Sequence, residues 1–252
     1  PEILFSEIQW LHDENSLVAT WIKYTDDTRE CGYLVYEIST INNPLHHTLD
    51  AQCDYFRSFA ISPDGLEIAF SIYSYATNSG KVLSLATSSG IQLFEDENYD
   101  PYRLMYSHDG TALIGTAQGN LLVWDTNDGY LLKSGSINTG TSVQLTPNGD
   151  WLVIPTYYDE IKIYSFKTLE MLHSFTVPSI DSEDARGREI ADLTISRSGE
   201  SLYVTLRDSF YDGNYSYQYS IHTYRITESN ELEYMTSSWP VYERGWGTWF
   251  AA

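Results

Sequence analysis

The stretch PYRLMYSHDGTALIGTAQGNLLVWDTNDGYLLKSGSINTG, Pro101–Gly140, decides how the rest of the chain is read. Short apolar bursts occur in it at Tyr102–Tyr106, Ala112–Thr116, Leu121–Trp124 and Tyr130–Lys133. Turn signals follow them: His108-Asp109-Gly110, Gln118-Gly119-Asn120, Asn127-Asp128-Gly129, then Gly135 and Gly140. Asp-Gly and Gly-Asn pairs supply the positive φ that tight hairpins need. The stretch therefore predicts four antiparallel strands in a meander. A lone meander cannot bury both of its faces, so it requires neighbours like itself.

Relatives of the first hairpin turn, Leu104–Gly110, occur at Ile8–Asn15, Phe59–Gly65, Val143–Gly149 and Leu193–Gly199. Measured at Asn15, Gly65, Gly110, Gly149 and Gly199, the steps are 50, 45, 39 and 50 residues. A self-similar unit of about 40–50 residues with four strands is the signature of a propeller blade.

Ser62-Pro63-Asp64-Gly65, Trp124-Asp125-Thr126-Asn127-Asp128-Gly129 and Leu202-Tyr203-Val204-Thr205 resemble the blade motifs of WD-repeat propellers. They resemble the YVTN or lactonase-like propellers of bacteria more closely. The resemblance runs from Ile3 to about Ser238 and implies an all-β propeller of four-stranded antiparallel blades. No Gly-His pair occurs, although WD repeats often carry one, so a degenerate propeller is expected. The blades are expected at 3–52, 53–98, 101–140, 141–177 and 190–238, in a single domain over 1–252. Residues 239–252 are expected to close the ring or to begin an incomplete sixth blade, with completion of the propeller by another chain as the alternative.

The chain has 252 residues, 42 % of them hydrophobic, and no apolar run long enough to span a membrane. It begins with Pro1, which fits a mature chain or an excised fragment. Net charge is −21, from 35 acidic and 14 basic residues. That balance argues against binding nucleic acid, which needs clustered Lys and Arg. It fits solubility, salty surroundings or a cationic partner. Cys31 and Cys53 are expected either to pair, if the protein is exported, or to stay as two buried thiols. The bacterial resemblance, scarce lysine and acidity lean towards an exported protein.

In a meander blade the turn between the second and third strands shares a face with the link to the next blade. Residues 25–30, 75–80, 157–159, 178–189 and 208–216, with the link 95–100, place the long segments on that one face. The opposite face has the tight turns. Long loops on a rigid scaffold are where recognition is usually placed. Their Tyr, Ser, Asn, Asp and Gly content suits adaptable contact. The candidate binding residues are Asp26, Asp27, Tyr75, Asn78, Tyr157, Tyr158, Asp159, Asp208, Tyr211, Asp212, Asn214 and Tyr215.

Catalytic signals are absent: there is no Gly-x-Ser-x-Gly and no His-Glu-x-x-His. His46 and His47 are adjacent, so on a strand they point to opposite faces and cannot readily share one ion. Residues 95–100 hold four acids but lack the spacing of a calcium loop. No cofactor is expected, calcium being the one ion weighed. The function expected is a non-catalytic module that recognises a protein partner through the long-loop face. A lactonase-like or other hydrolytic propeller with a site at the central channel, and a glycan binder, are the alternatives.

Overall fold

The computed structural model describes residues 2–11, 15–24, 29–38, 44–49, 53–137, 143–156, 159–178, 187–196, 198–211, 215–227, 231–237 and 241–244. Among them there are five antiparallel sheets, in each of which four consecutive strands pair in chain order. Sheet one is β1 (Glu2–Trp10), β2 (Ser16–Tyr24), β3 (Arg29–Glu37) and β4 (Leu45–Thr48). Sheet two is β5 (Tyr55–Ile61), β6 (Glu67–Ser74), β7 (Ser79–Ala86) and β8 (Gln92–Asp96). Sheet three is β9 (Arg103–Tyr106), β10 (Ala112–Ala117), β11 (Asn120–Asp125) and β12 (Leu131–Ser136). Sheet four is β13 (Gln144–Leu145), β14 (Trp151–Pro155), β15 (Glu160–Ser165) and β16 (Met171–Thr176). Sheet five is β17 (Gly187–Ile195), β18 (Ser201–Tyr211), β19 (Tyr215–Ile226) and β20 (Leu232–Ser237). A further strand, β21 (Val241–Arg244), pairs with β19 beyond the end of β20, so part of the C-terminal segment extends sheet five. None of the described residues forms a helix long and apolar enough to cross a membrane.

The turn joining the first two strands of a sheet is one repeated device. In Ser62-Pro63-Asp64-Gly65, the Ser62 hydroxyl donates to Asp64 Oδ1 at 2.6 Å and accepts from the Glu67 amide at 2.9 Å. Ser107 does the same with Asp109 and the Ala112 amide, at 2.6 and 2.9 Å. Thr146 does it with Asn148 and the Trp151 amide, at 2.6 and 3.1 Å. In each turn the fourth residue is a glycine with φ of +73 to +76°, the left-handed region that other residues enter only at a cost. These turns are why short, polar pieces of sequence fix the strand order.

The contacts divide the chain into two compact units, residues 1–137 and 138–252. In the first, sheet one packs face to face on sheet two: Val18, Ile22, Cys31 and Tyr33 meet Phe59, Ile68, Phe70 and Leu83. Sheet two then packs Ala60, Ala69, Val82 and Phe94 against Leu104, Tyr106, Leu113 and Trp124 of sheet three. Trp124 is fully buried, and its indole Nε1 donates to Asp96 Oδ2 at 2.8 Å. In the second unit Val153, Ile161 and Ile163 of sheet four pack on Leu193, Leu202, Val204 and Leu206 of sheet five. Cys31 and Cys53 form a disulfide between β3 and the entry to β5, with their Cα atoms 6.3 Å apart.

Two outcomes follow from this construction. The Asp64 and Asp109 carboxyls are held below the usual carboxylate range, first by the Ser62 and Ser107 hydroxyls and then by backbone amides. A carboxyl with a depressed folded pKa contributes stability above its unfolded value of about 3.9 and loses it as pH falls through the folded value. Asp64→Asn with Asp109→Asn should keep stability within about 1 kcal/mol at neutral pH, because Asn148 already does this work in sheet four. The double variant should also show a shallower fall in urea midpoint below about pH 4; an unchanged acid slope would exclude these carboxyls as its source. The disulfide closes a sequence separation of 22 residues, for which the chain-entropy model gives roughly 3 kcal/mol. Dithiothreitol should therefore lower the urea midpoint of the native chain and leave a Cys31→Ser/Cys53→Ser variant unmoved. Identical curves with and without reductant would show that no such crosslink acts.

Candidate functional site

Arg57 interrupts an apolar strand, Tyr55-Phe56-Arg57-Ser58-Phe59. The pairing explains how β5 tolerates it. Phe56 faces Ile72 and Ser58 faces Ser71, so Arg57 is the extra residue of a β-bulge. A bulge re-aims a side chain. The Arg57 guanidinium lies 5.3, 4.8 and 4.6 Å from the ring centres of Tyr55, Tyr73 and Tyr102. Its Nε makes an ion pair with Asp100 Oδ1 at 2.6 Å. A cation over tyrosine faces is attracted by their electron density, and more strongly when partly desolvated. Burial pushes the Asp100 carboxyl up, and Arg57 opposes the push. Asp100 lies against Gly80, where a Cβ would sit 2.0 Å from Oδ1, so only glycine leaves room for the carboxylate.

A second arginine extends the arrangement. Arg29 pairs with Asp54 Oδ1 and lies 5.4 Å from the Tyr24 ring and 6.0 Å from that of Tyr75. The other Asp54 oxygen accepts the Tyr75 amide hydrogen. Tyr55, Tyr73 and Tyr75 touch one another, with ring centres 5.3–5.7 Å apart. The Tyr73 hydroxyl donates to Asn78 Oδ1 at 2.8 Å, and Asn78 adopts φ of 52° in the turn. Tyr75 remains 64 % exposed and Tyr102 42 %. The result is a fixed aromatic surface at one end of the first three sheets, with its arginines already paired.

Of the residues singled out in the sequence, Tyr75 and Asn78 belong to this surface. Asp54 sits in the link into sheet two and Tyr75 in the turn after β6, and their contact places link and turn at the same end of the sheets. Asp26, Asp27, Tyr157, Tyr158, Asp212 and Asn214 lie outside the described residues. Asp159 follows β14 in the second unit, where its carbonyl accepts from the Val177 amide at 2.7 Å. Asp208 requires a correction. It is not on a loop but within β18, 3 % exposed, with Oδ1 2.7 Å from Arg188 Nε and Oδ2 3.3 Å from Arg188 Nη2. The expected loop 208–216 is mostly a hairpin, since β18 reaches Tyr211 and β19 starts at Tyr215, two residues that pair directly. Alternating tyrosine and serine suit a pleated strand as well as a loop, and the hairpin won.

Arg57, Arg29, Asp54, Tyr55, Tyr73, Asp100 and Tyr102 were not singled out in the sequence. The available signal was an arginine inside an apolar strand of an acid-rich chain. Other marked residues are absorbed by structure. His46 stacks on Trp21 and His47 on Tyr33, each at 4.8 Å, on opposite faces of sheet one. Glu95 pairs with Lys81, Asp96 holds Trp124 and Asp100 pairs with Arg57, so three of the four acids in 95–100 are committed. Glu95, Asp96 and Glu97 border a groove of about 700 Å³ with Tyr99, Asp128 and Tyr130. Among the described residues no three metal-ligating side chains gather into a group that could hold an ion.

The sheets define an all-β propeller of four-stranded blades. Solved structures agree with this fold. The β-propeller domain of Cps50 (Swd1) from Myceliophteria thermophila aligns with a TM-score of 0.66 at 14 % identity, over 90 % of this chain and 70 % of that one. A chain of the mitotic checkpoint complex gives 0.66 at 12 % identity, over 94 % and 67 %. A functionally unknown protein from Desulfotomaculum acetoxidans gives 0.65 at 14 % identity, over 92 % and 69 %. No protein-family model and no curated protein matches the sequence. At these identities the likeness is one of fold.

The ion pair inside the aromatic cage can be tested directly. Arg57→Met should cost about 2 kcal/mol in urea unfolding, below the 3–5 kcal/mol of fully buried pairs because both partners keep some exposure. Adding Asp100→Asn should recover part of that cost, since the unpaired carboxylate is then gone. Simple additivity of the two substitutions would mean that the pair is not coupled.

Proposed function

We propose that this propeller is a non-catalytic protein-interaction module and that it grips its partner through the tyrosine–arginine surface of the first three blades. One observation carries the reading. Tyr75 and Tyr102 are exposed, yet each is backed by an arginine that is itself ion-paired. Rigid aromatic side chains lose little entropy on binding, and tyrosine and arginine dominate binding energy at protein interfaces. The structural neighbours support the coarse part of the reading, since one is a β-propeller domain and another is a chain of the mitotic checkpoint complex. Asp26 and Asp27, expected from the sequence to contribute, lie between Tyr24 and Arg29 in the chain. A disulfide between Cys31 and Cys53 fits an oxidising compartment, where such a module would meet extracellular or cell-envelope partners.

The test is affinity capture from the source cells, with variants that leave the fold intact. Tyr75→Ala and Tyr102→Ala should each weaken capture by at least about tenfold. Tyr130→Ala, which removes an exposed tyrosine from a different part of the first unit, should not. Equal capture by all three variants would remove the surface from consideration.

A further inference from the structure

The bond between Cys31 and Cys53 joins the two segments that carry one half of the tyrosine–arginine surface. Arg29 lies two residues before Cys31 on β3, so both side chains take the face of sheet one that packs on sheet two. Asp54 is the residue after Cys53. Its carboxylate holds this half together: Oδ1 pairs with Arg29 and Oδ2 accepts the Tyr75 amide hydrogen. Its own amide donates to the Tyr73 carbonyl at 2.7 Å. Arg29 in turn lies 6.0 Å from the Tyr75 ring. The other half is built differently. Tyr102 is backed by Arg57 and Asp100, with contacts between sheets two and three that involve no cysteine.

We infer that this disulfide is the latch that assembles the Tyr75 half of the surface, so that this half forms only once the two thiols are oxidised. The inference rests on the reading of that surface as the binding site. Arg29 and Asp54 are 25 positions apart in the chain, and the Arg29 side chain is 44 % exposed. An ion pair so exposed contributes too little to hold two segments together. The crosslink changes this. With Cys31 bonded to Cys53, Arg29 is two residues and Asp54 one residue from a covalent junction, and each meets the other at high effective concentration. Both cysteines are buried, at 1 and 3 % exposure, so the finished bond is shielded from thiols in solution. The latch therefore closes as the chain folds and stays closed. In closing, the two thiols pass two electrons and two protons to the disulfide of an oxidoreductase, which leaves as a dithiol while the Cys31–Cys53 bond forms. A chain folded without an oxidant keeps the Tyr102 half and lacks the Tyr75 half.

Amide hydrogen exchange on the whole chain, native and Cys31→Ser/Cys53→Ser, tests this without any partner. Exchange at Tyr75 should quicken by at least about tenfold in the double variant. Tyr102, whose amide donates to the Thr116 carbonyl at 2.7 Å, should keep its native rate. Asp54→Ala, which keeps the crosslink and removes the acceptor, should quicken Tyr75 in the same way. Equal exchange at Tyr75 in the native chain and the double variant overturns the inference. So does a loss spread evenly over Tyr75 and Tyr102, which would mean lower stability alone. Cys31→Ala/Cys53→Val, which leaves no polar group at the buried sites, is held to the same outcomes where the serine pair fails to fold. Affinity capture separates the latch from the function. The double variant should lose capture to the extent that Tyr75→Ala does, and full capture by it where Tyr75→Ala loses capture overturns the latch. Native capture by Tyr75→Ala removes the surface as the binding site and leaves the exchange rates to decide the latch.

Discussion

Two-sided burial is the constraint from which the rest of this structure follows. A four-stranded blade with apolar residues on both faces has no stable existence alone, and stacking it on a neighbour meets only half of its need. Sheet two presents Ala60, Ala69, Val82 and Phe94 to sheet three, which packs Leu104, Tyr106 and Trp124 against them. Removing a buried aromatic residue of this kind costs about 3–5 kcal/mol, whereas one hydrogen bond in a turn contributes about 1 kcal/mol. Face burial therefore supplies the stability. The Ser/Thr–Asp/Asn–Gly turns decide which strand lies beside which.

That division of labour explains what could be read from the sequence. The turns were legible because their chemistry is local: Gly65, Gly110 and Gly149 need positive φ, and the hydroxyl and carboxyl partners lie within five residues. The strands of Pro101–Gly140 overlap the apolar bursts for the same reason. The bulges at Ser6 and Arg57 were not legible, because a one-residue slip in register leaves no mark in composition. Both decide where side chains are aimed, which the turns do not. One puts Ile3, Phe5, Ile8 and Trp10 on a single face of β1, and the other turns an arginine into a ring of tyrosines. The hairpin around 211–215 was misread for a related reason: tyrosine and serine serve loops and strands alike, and pairing along β18 and β19 settled the matter. Tyr75 and Asn78 fall in an expected loop, while their partners Tyr55, Arg57 and Tyr73 lie in strands outside it.

The arginine cage shows how an aromatic surface at the edge of a core can be held in place, with Tyr24 and Tyr55 packed on the core of sheets one and two. A guanidinium is planar and cannot be deprotonated, so it can lie over several rings and keep its charge beside a carboxylate. Lysine would offer a point charge and no plane. The cost of partly burying Arg57 and Asp100 is offset by each other and by Tyr55, Tyr73 and Tyr102. The rings gain fixed positions in return. Tyr75 then projects from a base that is already ordered, which reduces the entropy lost when something binds to it.

The distribution of charge ties these features together. With 35 acidic residues against 14 basic ones, most of the surface repels acidic proteins and repels other copies of itself. Repulsion spread over most of a surface raises the cost of wrong contacts and leaves the intended ones where it lapses. It lapses at the tyrosine–arginine surface, where Asp54 and Asp100 are spent on Arg29 and Arg57. The acidic surface would thus do by exclusion what the tyrosine–arginine surface is proposed to do by attraction.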